Sequence, residues 1–342
     1  MKTWIQTTLL ATATAALFAG PALAQDKVVN IYSHREPKLI EPMLEAFTRE
    51  TGIKTNVVFA DKGMVERLKA EGANSPADLV LTVDAGRLND LVEAGLVQPI
   101  NSPVVKANVP AAYAHPAGLW YGMSLRGRAI YASRDRVPEN VAKGLTYADL
   151  ADPKWKGKIC TRAGDHEYNV ALLASVIADK GEAAGRQWLQ GLKANLGRKP
   201  QGGDREQVQA IQTGQCDLAV ANTYYYYLMV TNPQQKAWAD SARLVFPDQA
   251  GKGMMMNVSG IALTKASPNK DNAIKLVEYL AGEKAQAMYA ELNGEYPVNP
   301  KADSSAFLKS LGTYKASDTS LDKIAKARKA ALQMMNEVDY NS

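Results

Sequence analysis

Histidine is scarce in this sequence, with three in 342 residues, and cysteine is scarcer, with two. His34, His115 and His166 form no recognisable set with a nucleophile. No Gly-x-Ser-x-Gly elbow, His-Glu-x-x-His helix or placeable carboxylate pair is present. Those absences exclude the common hydrolytic designs, and the chain reads as a protein that is not an enzyme. Neither Cys160 nor Cys216 has a second ligand at metal-like spacing, which argues against zinc. Charge of either sign is in short excess. The 40 Lys+Arg and 35 Asp+Glu leave +5, too mild and too evenly spread for a nucleic-acid partner. After the first two dozen residues no run is apolar enough to span a membrane.

The chain does have an export signature at its start. Lys2 gives a positive n-region, Thr8 to Gly20 is apolar or small, and Ala22-Leu23-Ala24 fits small-x-small cleavage. Residues 1–24 therefore read as a signal peptide, with an uncleaved anchor as the other reading. Loss of Lys2 takes the charge from +5 to +4. In an oxidising compartment Cys160 and Cys216, each in or beside a strand-like run, are expected to form a disulfide. Two separate buried thiols are the alternative.

From Lys27 the pattern alternates. Strands are expected at 27–32, 54–60 and 78–83, with helices after Ser33, from Gly63 to Glu71 and from Ala85 to Glu93. Such β-α-β-α-β order implies a parallel sheet with covered faces. Arg126-Gly127-Arg128 interrupts the pattern and marks a first crossing into a second lobe. Met254 to Thr264 reads as the return strand. Asp165 and Asp204 are expected to cap two helices of the second lobe. The expected division is 25–125 plus 254–300 for one lobe and 126–253 plus 301–342 for the other. The length suits two domains.

The most unusual stretch is Ala221-Asn222-Thr223-Tyr224-Tyr225-Tyr226-Tyr227. It follows the apolar run of Leu218 to Val220, and Asn222 or Thr223 is a credible helix cap. Tyr224 and Tyr225 then fall in a first helical turn at the carboxyl end of a strand, where ligands bind in open α/β sheets. Tyr168 is expected in the first turn of another such helix. Clustered phenols suggest a hard cation, and Fe³⁺ with three phenolates sums to zero charge. Aromatic packing is the plainer reading. Arg35, at a helix start, and Arg126, at the crossing, offer donors to a small anion such as carbonate. A salt bridge is the alternative for each.

The segments IYSHRE (31–36), FADKG (59–63), SPADLVLTVDAGRL (75–88), SLRGRAIY (124–131), EYNVALLAS (167–175), PQGGDREQVQAI (200–211) and CDLAVANTYYYYL (216–228) resemble those of periplasmic ferric-ion-binding proteins of bacterial iron ABC transporters. The resemblance covers nearly all of the chain after the signal. It implies a two-lobed α/β periplasmic-binding-protein fold of type II, each lobe a mixed or parallel sheet flanked by helices and hinged by crossing strands. It implies Fe³⁺ as cargo, Tyr168, Tyr224 and Tyr225 as ligands, and Arg35 and Arg126 holding a synergistic carbonate or bicarbonate. A periplasmic monomer delivering iron to an inner-membrane ABC permease is the implied role. Relatives place His or His-Tyr where Glu36 and Pro37 stand, so first-lobe ligands differ here. Tyr32 and Glu36 are expected beside the ligand set, and Tyr226 and Tyr227 as packing. The alternative cargo in the same fold is an oxyanion, thiamine or a polyamine.

Overall fold

The computed structural model describes residues 27–60 and 62–342; the expected signal segment lies outside them. Among the described residues nine strands form the framework: β1 (Val28–Ser33), β2 (Lys54–Phe59), β3 (Leu79–Thr82), β4 (Val97–Gln98), β5 (Tyr121–Ser133), β6 (Ile159–Cys160), β7 (Leu218–Asn222), β8 (Ala242–Val245) and β9 (Met256–Thr264). Their order is β2-β1-β3-β9-β5-β7-β6, with β4 also on β9 and β8 also on β5. The β1 pairings with β2 and β3 are parallel, as the opening alternation requires. Every residue of β3, β5, β7 and β9 is buried, because helices cover both faces of these internal strands. The edge strand β2 is exposed or half-buried throughout.

β5 is the element that joins the two lobes. Its first half runs antiparallel to β9, from Tyr121 opposite Ile261 to Gly127 opposite Met256. Its second half leaves β9 and pairs with β7, Arg128 facing Asn222, and with β8. The Arg-Gly-Arg triplet therefore does not interrupt the strand, contrary to the sequence expectation. A Cβ on Gly127 would meet the end of the Met254 side chain, which would have to move aside. We propose the lobe division at this change of partner, where β5 and the return strand β9 both cross. The result is a two-lobed mixed α/β body of type II.

Local signals place the helices well. Gly52, at φ +69°, ends the helix Glu41–Thr51 that buries Met43, Leu44 and Phe47. Two expected caps are corrected. His166, not Asp165, caps the helix Glu167–Lys180. Asp204 lies inside its helix, after Gly203, because its carboxylate is taken by arginines described below. The last helix, Leu321–Glu337, packs both on Glu167–Lys180 and on Ala85–Glu93, and Arg328 reaches Asp90 at 3.3 Å. No helix among the described residues is long and apolar enough to cross a membrane.

Cys160 and Cys216 form a disulfide, Cα atoms 5.8 Å apart. It ties β6 to the turn that feeds β7, the strand leading to the tyrosines. Reduction is expected to cost about 2–4 kcal/mol of stability. The check is the denaturant midpoint with and without reductant; an unchanged midpoint would show that the bridge contributes nothing.

Candidate functional site

The tyrosine helix is aimed by its anchor on β5. After β7 ends at Asn222, Thr223 donates its N–H to the Gly127 carbonyl (3.0 Å) and accepts from the Gly127 N–H at Oγ1 (3.1 Å). Thr223 thus spends its hydroxyl on the crossing strand rather than on a cap bond. The helix Tyr224–Val230 starts immediately, so Tyr224 and Tyr225 stand in its first turn. Tyr168 stands in the first turn of Glu167–Lys180, where His166 Nδ1 accepts its backbone N–H at 3.2 Å. The turn before it is braced by the C-terminus. Gly164 N–H donates to Asn341 (2.7 Å), and the Tyr340 and Thr161 hydroxyls are 2.9 Å apart.

These starts converge. The Tyr168 and Tyr224 hydroxyls are 3.5 Å apart, and the Tyr224 and Tyr225 rings stack with centroids 4.2 Å apart. Tyr168 and Tyr224 are buried and Tyr225 is half-buried. Desolvation of the hydroxyls raises the Tyr168 phenol and pushes those of Tyr224 and Tyr225 well above the ordinary value. For Tyr224 the neighbouring tyrosines add to the rise, and Arg126 opposes it. The phenols therefore hold their protons at neutral pH until a cation displaces them.

Buried cations surround them. Arg126 lies 5.3 Å from the Tyr224 ring centroid, and Arg128 and Arg162 lie 5.7 and 5.4 Å from that of Tyr168. Arg126 and Arg128 are two apart on β5 and so share one face of the strand. The arginines are held by two carboxylates. Glu295 takes Arg126 at 2.5 Å and also pairs with Arg35. Asp204 takes Arg128 at 2.5 Å and Arg162 at 3.3 Å, and accepts the Asn222 N–H at 2.8 Å. Burial would raise the Glu295 carboxyl, but Arg35 and Arg126 outweigh it and hold the group below its usual range. The Nε atoms of Arg126, Arg128 and Arg162 and Nδ2 of Asn222 are buried donors with no acceptor, an arrangement that suits an anionic guest.

His166 is pushed down to about 2, by burial first and then by Arg162, Arg128, Arg87 and Lys62. It is neutral at ordinary pH and caps its helix as an acceptor. Glu167 pairs with Arg87 at 3.1 Å. Among the described residues no group of three or more His, Cys, Asp and Glu side chains is placed to hold a metal, so the tyrosines are the cluster to consider.

Of the residues singled out in the sequence, Tyr168, Tyr224, Tyr225 and Arg126 come together. Arg35 joins them only through Glu295, with its Nε and Nη2 also donating to the Leu39 carbonyl at 3.2 and 3.1 Å. Arg35 and Arg126 both form salt bridges to Glu295. Tyr32 donates its hydroxyl to Glu71 at 2.7 Å and stacks under Arg67. Glu36 is 55 % exposed and pairs with Lys38. Among the described residues no hydrogen bond joins either of them to the tyrosines. Tyr226 packs between Tyr131 and Phe307, whereas Tyr227 also donates to the Glu291 carbonyl at 2.6 Å. Sequence reasoning missed Glu295, Asp204 and Arg162. Asp204 carried a signal, but as a helix cap; Glu295 carried none.

A two-lobed mixed α/β body with clustered tyrosines and buried arginines beside the long shared strand fits the class of solute-binding proteins. The family model of bacterial extracellular solute-binding proteins matches residues 32–287. The iron uptake protein A1 of Synechocystis is 41 % identical over 92 % of this chain and 88 % of its own. The apo ferric ion-binding protein A of Pasteurella haemolytica superposes with a TM-score of 0.88 at 48 % identity, covering 92 % of this chain and 99 % of that one. A Trichodesmium protein in complex with iron and citrate gives 0.85 at 38 %, over 92 % and 99 %. The chain belongs to the bacterial extracellular solute-binding proteins, in the group that holds these iron uptake and ferric ion-binding proteins. Members of that family bind and carry solutes; they are not enzymes.

Proposed function

We propose that the protein captures ferric iron in the periplasm through Tyr168, Tyr224 and Tyr225 and hands it to an inner-membrane ABC permease. The observation that carries this is the convergence of three phenols from two helix starts, two of their hydroxyls 3.5 Å apart. Phenolate oxygen suits a hard trivalent ion, and helix N-termini favour the anionic form. The names of the relatives point the same way. Three phenolates cancel the charge of Fe³⁺ but leave its coordination incomplete. The two arginine sets, Arg35–Glu295–Arg126 and Arg128–Asp204–Arg162, each hold two cations on one carboxylate. Their surplus positive charge and unpaired Nε donors support a bound anion, carbonate or bicarbonate, with Arg126 as its nearest donor and Arg35 acting through Glu295. A polyamine cargo needs free carboxylates, and both of these are consumed by arginine.

Titration with ferric salt in bicarbonate buffer is expected to produce a visible tyrosinate-to-iron charge-transfer band that a strong chelator bleaches. A protein that stays colourless and carries no iron by elemental analysis would overturn the reading. Removing bicarbonate and other small chelating anions is expected to weaken binding. Arg126→Ala is expected to shift the band and weaken binding by about 10- to 100-fold, the range for groups supporting a metal site. Arg49→Ala, on an exposed helix face, supplies the comparison. Band and affinity insensitive to both anion removal and Arg126→Ala would exclude the anion.

A further inference from the structure

The carboxylate that the sequence did not reveal has an unusual setting. Glu295 is fully buried, and so are the two arginines it holds, Arg35 at 1 % and Arg126 at 2 % exposure. It follows Gly294, which at φ +64° ends the helix Glu283–Asn293. Tyr296 then pairs with Leu125, its N–H donating to the Leu125 carbonyl at 3.0 Å and its own carbonyl accepting from Leu125 at 2.8 Å. Glu295 is thereby fixed beside β5, opposite Arg126. A Cβ on Gly294 would collide with Cβ of Tyr227, so the same elbow rests on the tyrosine helix. Asn293 Nδ2 donates to Glu295 at 3.3 Å. Both carboxylate oxygens are engaged, one by Arg35 and Arg126 together and the other by Arg35 and Asn293.

We infer that Glu295 sets the charge and position of the anion site, and so determines which anion accompanies the metal. One buried carboxylate shared by two buried guanidiniums leaves one net positive charge and holds Arg126 against Tyr224. Without Glu295 the pair would carry two positive charges in a poorly screened interior, and a guest anion would be bound more tightly. Without Arg35 the set would be neutral, and its share of the attraction for the anion would be lost. This rests on the anion reading given above. It adds that the net charge of the triad, rather than the mere presence of its arginines, governs anion affinity.

The experiment measures the bicarbonate concentration that half-develops the charge-transfer band at fixed ferric iron, with bicarbonate as the sole added anion. The variants are Glu295→Gln, Arg35→Gln and the double variant, each first shown to be folded by thermal melting. At an effective dielectric of about 20, one unit of charge about 12 Å away changes anion affinity by about tenfold, and a closer one by more. Glu295→Gln is therefore expected to lower the half-saturating bicarbonate by at least about tenfold, and Arg35→Gln to raise it by at least about tenfold. Adding Glu295→Gln to Arg35→Gln returns the triad to one positive charge and is expected to rescue the weakened variant. If Glu295→Gln does not fold, the comparison of Arg35→Gln with the double variant still decides. A double variant that binds bicarbonate no better than Arg35→Gln overturns the inference, as does an unchanged requirement in a folded Glu295→Gln. A wild-type protein that shows no band at all defeats the iron reading, and one whose band develops fully without bicarbonate defeats the anion reading, so these failures are distinguishable from that of the inference.

Discussion

Replacing Tyr224 by phenylalanine is expected to lower ferric affinity by at least about 100-fold, beyond the range seen for groups that merely support a metal ligand. Tyr224 is central to the cluster: its hydroxyl is 3.5 Å from that of Tyr168, and its ring stacks on Tyr225 and lies under Arg126. The substitution keeps the ring and the packing and removes only the oxygen that becomes phenolate. The remaining charge of Fe³⁺ and two phenolates would be +1 in a pocket already rich in arginine, so both a bond and the neutralisation are lost. Tyr168→Phe and Tyr225→Phe are expected to behave alike. Tyr226→Phe is expected to bind normally, since its ring packs between Tyr131 and Phe307. Chelator competition measures all four. A loss in Tyr226→Phe equal to the others would mean that the ligands are placed wrongly.

Iron binding is also expected to fall steeply with acid. Desolvation raises the Tyr168, Tyr224 and Tyr225 phenols, so all three carry protons at neutral pH before iron binds. The ferric ion must displace those protons, because only the deprotonated ligand binds. Each displaced proton adds about one tenfold step in affinity per pH unit, so three give roughly a thousandfold loss for each unit the pH falls. The sign is fixed: binding releases protons, hence lower pH favours the free protein. Calorimetry in buffers of different ionisation enthalpy counts the protons released per iron by the tyrosines. A count near zero would mean that the phenols do not ligate as phenolates, and a count near two that one of them is spared.

Both results depend on geometry that was partly legible in the chain. The tyrosine helix was readable because its signals are local: an apolar run that ends, a polar pair, then four aromatic residues. Helix starts at strand ends place first-turn side chains at a sheet edge whatever the rest of the fold does. Gly52 and the alternation of apolar residues after Lys27 were local in the same sense. The errors were tertiary. Arg126-Gly127-Arg128 looked like a break because charge and glycine are rare within strands, yet β5 continues through them, and its charges are buried beside carboxylates. Asp204 looked like a cap because its neighbourhood is helical, yet three donors from distant segments claim its oxygens.

The sequence by itself determined the βα order, the tyrosine cluster and its position at a helix start, since these rest on periodicity and capping within short windows. The tertiary structure decided which arginines stand at the pocket and what charge they bring to it. Glu295 lies 260 residues from Arg35 and 169 from Arg126, and no spacing rule connects them. What joins them is burial: a guanidinium taken out of water needs a counter-charge nearby, and only the completed fold, with the Gly294 elbow laid along β5, supplies it.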